Sequence, residues 1–140
     1  MWFTIEVVLG ALLGAAFVAL ARALGRLERT LLAAGLVVAA LVYVGMGLTA
    51  HPPSELWIEG VGAGAFLVLA VAGYLGSPLL LAAGWAAHGA WDLVVPLFTD
   101  VAYLSEWYIA ACLGFDLALA AYIAGVGCIP SAGRKHGEAT

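Results

Sequence analysis

Five long apolar runs, parted by short polar breaks, order the whole chain. They cover about Trp2 to Leu24, Thr30 to Ala50, Glu55 to Leu75, Pro78 to Phe98 and Ser105 to Ile129. Each is close to the roughly 20 residues that cross the hydrocarbon of a bilayer. No run alternates apolar and polar residues as a strand does, and lipid admits only helices or closed barrels. The runs therefore predict five transmembrane helices in an all-α, polytopic fold.

The breaks fit that reading. Arg22, Arg26, Glu28 and Arg29 follow the first run, and "HPPSE" ends the second. "GSP" is a tight turn, with Ser77 placed to cap the fourth helix and Pro78 at its first position. The polar stretch "TDVAYLSE" precedes the fifth helix, and Pro130 with a short hydrophilic tail closes the chain. The expected organisation is one helical bundle over residues 1–130 and a cytoplasmic tail over 131–140.

Charge sets the orientation. Arg22, Arg26 and Arg29 lie between the first two helices, and Arg134 and Lys135 lie after the fifth. Five spans put both places on one side, and positive residues stay in the cytoplasm. The N-terminus is thus expected outside and the C-terminus inside. His51, Glu55, Asp100 and Glu106 fall on the outer side, with no Lys or Arg among them. Trp2, Trp57, Tyr103 and Trp107 form an aromatic belt at that interface.

Composition narrows the class further. The 140 residues are 65% hydrophobic and only 10% charged, with a mean hydropathy of +1.08. Too little charge is present to cover a soluble surface, so nearly all of the chain faces lipid or protein. The five basic residues form no patch for nucleic acid. The expected location is the prokaryotic cytoplasmic membrane. The first run lacks the basic residues that open a secretory signal and carries Glu6 instead, so it is read as a retained helix. Cys112 and Cys128 are sixteen positions apart, roughly 24 Å along a helix, too far for a disulfide within the chain. Gly10 with Gly14, and Gly60 with Gly64, make two GxxxG pairs that predict close helix packing, within the chain or between copies in a homo-oligomer.

The candidate chemistry lies in "GWAAHGAWDLVVP", residues 84–96. His88 and Asp92 are four apart and share a helix face, with Trp91 beside them. Counting helix rise places His88 roughly 15 Å from the inner end of helix four, and Asp116 on helix five at a matching depth. Cys112 then matches Asp92, with Tyr108 above them and Tyr43 of helix two in the same layer. Glu59 and Glu6 lie nearer the outer surface, with Glu6 on the Gly10–Gly14 face. A central Asp costs roughly 2.5–3.5 kcal/mol on insertion scales, so two unpaired ones cost on the order of 6 kcal/mol. No Lys or Arg is at that depth to offset them. Such a setting suits acid–base chemistry or cation binding. The inner half is almost devoid of polar side chains, which predicts a pocket closed at its inner end rather than a conducting path. Pro96 has no N–H for the Asp92 carbonyl four residues back.

Each residue also has a plainer reading. His88 with Asp92 can be a hydrogen-bonded packing pair, Cys112 a small apolar residue, and Glu55 and Glu59 first-turn acids favoured by the helix N-terminus. A divalent metal is a further possibility. His88, Asp92, Glu59 and Asp116 are its candidate ligands for zinc, iron or manganese, although HExxH and CxxC are absent.

"LAAGWAAHGAWD", Leu81 to Asp92, followed by "CLGFDL", Cys112 to Leu117, resembles an uncharacterised family of small bacterial integral membrane proteins with an H-x-x-W-D motif and a following C-x-G-F-D helix. The resemblance covers roughly the second half of the chain. It implies that His88, Trp91, Asp92 and Asp116 are the polar signature, and it carries no activity. A looser likeness in chemistry is to membrane sterol isomerases, in which acids, a histidine and tryptophans handle a carbocation.

The expected function is a small membrane-embedded enzyme that isomerises, cyclises or hydrates a lipophilic substrate. Asp92 and Asp116 act as acid and base, His88 orients or relays the proton, and Glu59 assists. Trp91, Tyr43, Tyr108, Cys112 and Glu6 line the pocket. The alternatives are a carrier or sensor for a proton, cation or hydrophobic ligand, and a structural subunit of a membrane complex.

Overall fold

The computed structural model describes residues 2–49, 56–97 and 104–127. His51, Glu55, Asp100, Tyr103, Cys128, Arg134, Lys135 and His136, and with them the tail, lie outside the described residues. Among the described residues the fold is helical, with no strand. The helices are α1 (Trp2–Ala23), α2 (Glu28–Thr49), α3 (Leu56–Leu75), α4 (Pro78–Val94) and α5 (Glu106–Gly127). All five are long and apolar enough to cross a membrane.

The helix ends follow from local chemistry. Between α1 and α2 the chain makes one 3-10 turn, Gly25–Leu27. Gly25 has a φ of 52°, a left-handed conformation that glycine adopts without steric cost. Ser77 caps α4 by accepting from the Leu79 N–H at 3.2 Å, with Pro78 next to it as expected. At the other end, Val95–Leu97 tightens into a 3-10 turn. Pro96 supplies no N–H there to continue the α-helical ladder.

Two of the arginines read as orienting charges between the first two helices lie in helical turns. Arg22 belongs to the last turn of α1, with its guanidinium 5.8 Å from the centre of the Tyr122 ring. Arg29 belongs to the first turn of α2, which begins two residues earlier than the apolar run. Its guanidinium donates to the Gly73 carbonyl at 2.6 Å and 3.2 Å and to the Gly76 carbonyl at 2.6 Å. It thereby caps the end of α3, whose last carbonyls have no partner within their own helix. Glu28 extends the helix on the other side, accepting a hydrogen bond from the Tyr122 hydroxyl. The polar residues of this junction are helix clips, which hydropathy alone does not reveal.

α5 packs against α1 and α4, and α3 packs against α2 and α4. α2 also touches α1 and α4, which closes the bundle. Glycines set the closest approach. A Cβ at Gly10 would stand 1.9 Å from the Ala111 carbonyl oxygen, and one at Gly114 would stand 1.9 Å from that of Val7. The α1–α5 backbones therefore touch. Gly60 and Gly64 have open space around them, so that second pair faces away from the chain.

The apolar core occupies the inner part of the bundle. It is built from Leu36, Phe66, Leu81, Trp85, Leu119 and their neighbours. Trp85 satisfies its own polar edge by donating Nε1–H to the Leu32 carbonyl at 3.1 Å, tying α4 to α2. The outward faces carry Val8, Leu12, Val38, Val61 and Val68, all exposed. Surfaces of this kind are stable against lipid tails and not against water.

Candidate functional site

His88, Asp92 and Asp116 meet in the interior. They are exposed by only 2%, 0% and 2%. His88 Nδ1 and Asp116 Oδ2 are hydrogen-bonded at 2.8 Å, and the same nitrogen lies 3.9 Å from Asp92 Oδ1. With Asp116 ionised, the histidine N–H is the donor. One ligand-type atom from each of the three residues lies within 4.8 Å of the others.

α4 and α5 can bring these groups together because Gly89 carries no side chain. A Cβ there would stand 3.2 Å from the Asp116 Cβ. Aromatic edges fix the imidazole. The rings of Phe66, Tyr43 and Trp85 lie 5.0, 5.7 and 6.5 Å from it, each steeply inclined. The Ala39 carbonyl of α2 also lies beside the ring.

Several polar atoms of this layer are left without a hydrogen bond among the described residues. They are both carboxylate oxygens of Asp92, the Tyr43 hydroxyl and His88 Nε2. The Tyr43 hydroxyl is close enough to Asp92 to interact with it, though not in hydrogen-bond geometry. Buried polar groups in proteins are rarely left unpaired, and each exception calls for a reason. Four such atoms within one small cluster form a polar centre in an apolar bundle.

The remaining candidate residues divide. Glu59 is buried on α3 and within electrostatic reach of Asp92, but it stands outside the three-residue cluster. Tyr108 packs on Tyr43 with ring centres 6.3 Å apart, and it interacts with Cys112, a free thiol. Cys112 is in turn within electrostatic reach of Asp92. Trp91 is half-buried. Its indole covers Gly62, where a Cβ would come within 2.7 Å of the ring, and it meets Phe66 edge to face at 5.9 Å. Glu6 is half-buried on α1 and is not part of the cluster.

Phe66, Gly62 and Gly89 were not singled out from the sequence. Their signal was spacing: Glu59, Gly62, Phe66, Ala70 and Gly73 recur every three or four residues and form the buried face of α3. Gly89 sits between His88 and Asp92, where only its contact with another helix reveals its role.

A cleft of about 210 Å³ opens at the end of the bundle where α1 and α5 begin, lined by Phe3, Asp92, Leu93, Pro96, Glu106 and Ile109. Asp92 is therefore both part of the buried cluster and part of the cleft wall. A second cavity, about 230 Å³, lies at the other end among Arg26, Glu28, Arg29 and Tyr122. No family model, curated protein or solved structure matches the chain.

Proposed function

We propose that the protein is a multi-pass enzyme of the prokaryotic cytoplasmic membrane that performs acid–base chemistry on a lipophilic substrate. The N-terminus lies outside and the C-terminus in the cytoplasm, which puts the reactive cluster in the outer half of the bilayer. The reaction is an isomerisation, cyclisation or hydration.

One observation carries the reading. Asp92 is fully buried, neither of its oxygens has a hydrogen-bond partner among the described residues, and it lines the cleft. The cleft is smaller than the roughly 300–1,000 Å³ of pockets that enclose a whole ligand. It suits the polar end of a lipid-like molecule whose tail stays in the bilayer. Phe3, Leu93 and Ile109 supply apolar walls. Asp92 meets the reacting end, and the His88–Asp116 pair is held behind it. Preorganised charge in such a dry setting stabilises charge that develops during reaction.

The test uses a bacterial lipid and isoprenoid extract in deuterated water, incubated with the purified protein. Wild type converts one lipid species into a product carrying carbon-bound deuterium or the added mass of water. Asp92→Asn lowers the rate by about 10²–10⁴, the usual worth of a positioned acid or base. A folded wild type that changes no lipid, or an equally active variant, would overturn the proposal.

A second reading, a carrier or sensor for a proton or cation, is favoured by the three ligand-type groups lying together. The apolar inner core of Leu36, Leu81 and Leu119 argues against a conducting path.

A further inference from the structure

We propose that His88, Asp92 and Asp116 form a binding site for one divalent first-row transition-metal cation. The inference rests on the reading above only in taking this cluster as the functional site, and it names the cofactor.

The donor set is the first argument. One imidazole and two carboxylates are a common ligand chemistry for zinc, iron and manganese. Around an ion with bonds of about 2.0–2.2 Å, neighbouring ligand atoms lie about 2.8–3.6 Å apart, from octahedral to tetrahedral geometry. The distances from His88 Nδ1, 2.8 Å to Asp116 and 3.9 Å to Asp92, bracket that range. All three ligand atoms lie within 4.8 Å of one another, so the carboxylates close the remaining distance onto one ion.

Unsatisfied capacity is the second argument. Among the described residues both Asp92 oxygens lack a hydrogen-bond partner although the residue is 0% exposed. A cation needs such acceptors, whereas a structural packing pair would have used them. If one Asp92 oxygen binds the ion, the other remains an acceptor within the cluster. The Tyr43 hydroxyl is positioned beside the carboxylate as a further donor. Nδ1 ligation leaves the other ring nitrogen to carry a proton, and the Ala39 carbonyl lies beside the ring as an acceptor.

Charge is the third. The described arginines, Arg22, Arg26 and Arg29, all lie at the α1–α2 junction, far from this layer. Within the ligand set, two ionised carboxylates, a neutral imidazole and a dication sum to zero, and Glu59 on α3 stands outside that set. Low dielectric penalises a net charge severely, so a neutral assembly is the form the bundle interior accepts. Three protein ligands also leave a coordination position open, as catalytic sites require. The cleft begins at Asp92, one of the three ligands.

The experiment uses the full chain purified in mild detergent without chelators. Elemental analysis of the protein is followed by titration with Zn²⁺ and Mn²⁺ separately, with Mg²⁺ as control. Wild type holds one Zn²⁺ or Mn²⁺ per chain, and binding raises its thermal midpoint. Asp92→Asn and His88→Gln each weaken affinity at least tenfold, whereas Glu59→Gln retains the ion. X-ray absorption of the loaded wild type shows nitrogen and oxygen neighbours at about 2.0–2.2 Å, including one imidazole, so the result does not depend on any variant folding. A helical, monodisperse wild type that takes up neither ion overturns the proposal, as do sulfur ligands or equal binding by Asp92→Asn. The two proposals fail separately. Lipid turnover by metal-free protein removes the cation and leaves the enzyme, and a loaded protein that changes no lipid does the reverse.

Discussion

Gly89 rests against Asp116. A Cβ at position 89 would stand 3.2 Å from the Asp116 Cβ and 3.5 Å from Oδ2, the same oxygen that bonds His88. The residue next to the histidine thus sets how near its partner helix can come. Gly89→Ala should push α5 outward and lengthen the His88–Asp116 bond. Overpacking costs about 1–3 kcal/mol, offset by up to about 1 kcal/mol from replacing a helical glycine. The check is the NMR signal of the His88 Nδ1 proton in metal-free protein, which loses its strong hydrogen-bond shift in the variant. An unchanged signal would mean that the helices absorb the methyl elsewhere.

Asp92 predicts a conflict between stability and function. Its carboxylate has no hydrogen-bond partner among the described residues. Asp92→Asn removes the charge and keeps the shape, so metal-free variant protein should be more stable by about 0.5–2 kcal/mol, the usual gain when a functional compromise is relieved. Activity and metal uptake should fall in the same variant. Unfolding in mixed micelles measures the first, and a destabilised variant would show that Asp92 is chiefly a packing residue.

The two glycine pairs should answer differently to alanine. Gly10→Ala drives a methyl into the Ala111 carbonyl and should cost about 1–3 kcal/mol or more. Gly60→Ala meets open space and should gain up to about 1 kcal/mol in a monomer. Thermal unfolding of both variants in one detergent compares them directly. A costly Gly60→Ala would point to packing between copies through that face.

Arg29 should matter more than its place near a helix end suggests. Arg29→Ala strips the clip from the Gly73 and Gly76 carbonyls. Hydrogen bonds from a charged group contribute about 1.5–3 kcal/mol, and that is the expected loss. Arg29→Lys should recover only part of it, because an ammonium cannot reproduce the fork. The midpoint of thermal unfolding ranks the three proteins.

Orientation can be read by thiol labelling. In a background with Cys112 and Cys128 replaced by serine, a cysteine at Glu106 should react with a membrane-impermeant maleimide on intact cells. One at Arg26 should react only after lysis. The reverse pattern would invert the topology and place the cluster in the inner half.

The parts of this architecture that the chain discloses on its own follow from solvent and period. Run lengths mark five helices because a bilayer demands them. Helix rise brings His88 and Asp116 to one depth, where the structure has them 2.8 Å apart. Neighbour choice is different. Helices apolar on every side show no preferred face, so the contact of α1 with α5 emerges only from glycines meeting backbone. The same blindness explains Glu6. Its place on the Gly10–Gly14 stripe is legible, but that stripe is spent on α5 and does not reach the cluster. Arg29 was legible as a charge that orients the chain, and not as a clip, because its acceptors are carbonyls 44 and 47 positions away.

The aromatic edges around His88 have a mechanical consequence. With Phe66, Tyr43 and Trp85 edge-on around the imidazole and Asp116 bonded to one nitrogen, the ring would break these contacts if it swung. It cannot ferry a proton by turning from one partner to another, as a rotating gate would. Anything passed along must enter at one nitrogen and leave at the other, which makes this histidine a fixed two-port junction whose polarity is set when the bundle assembles.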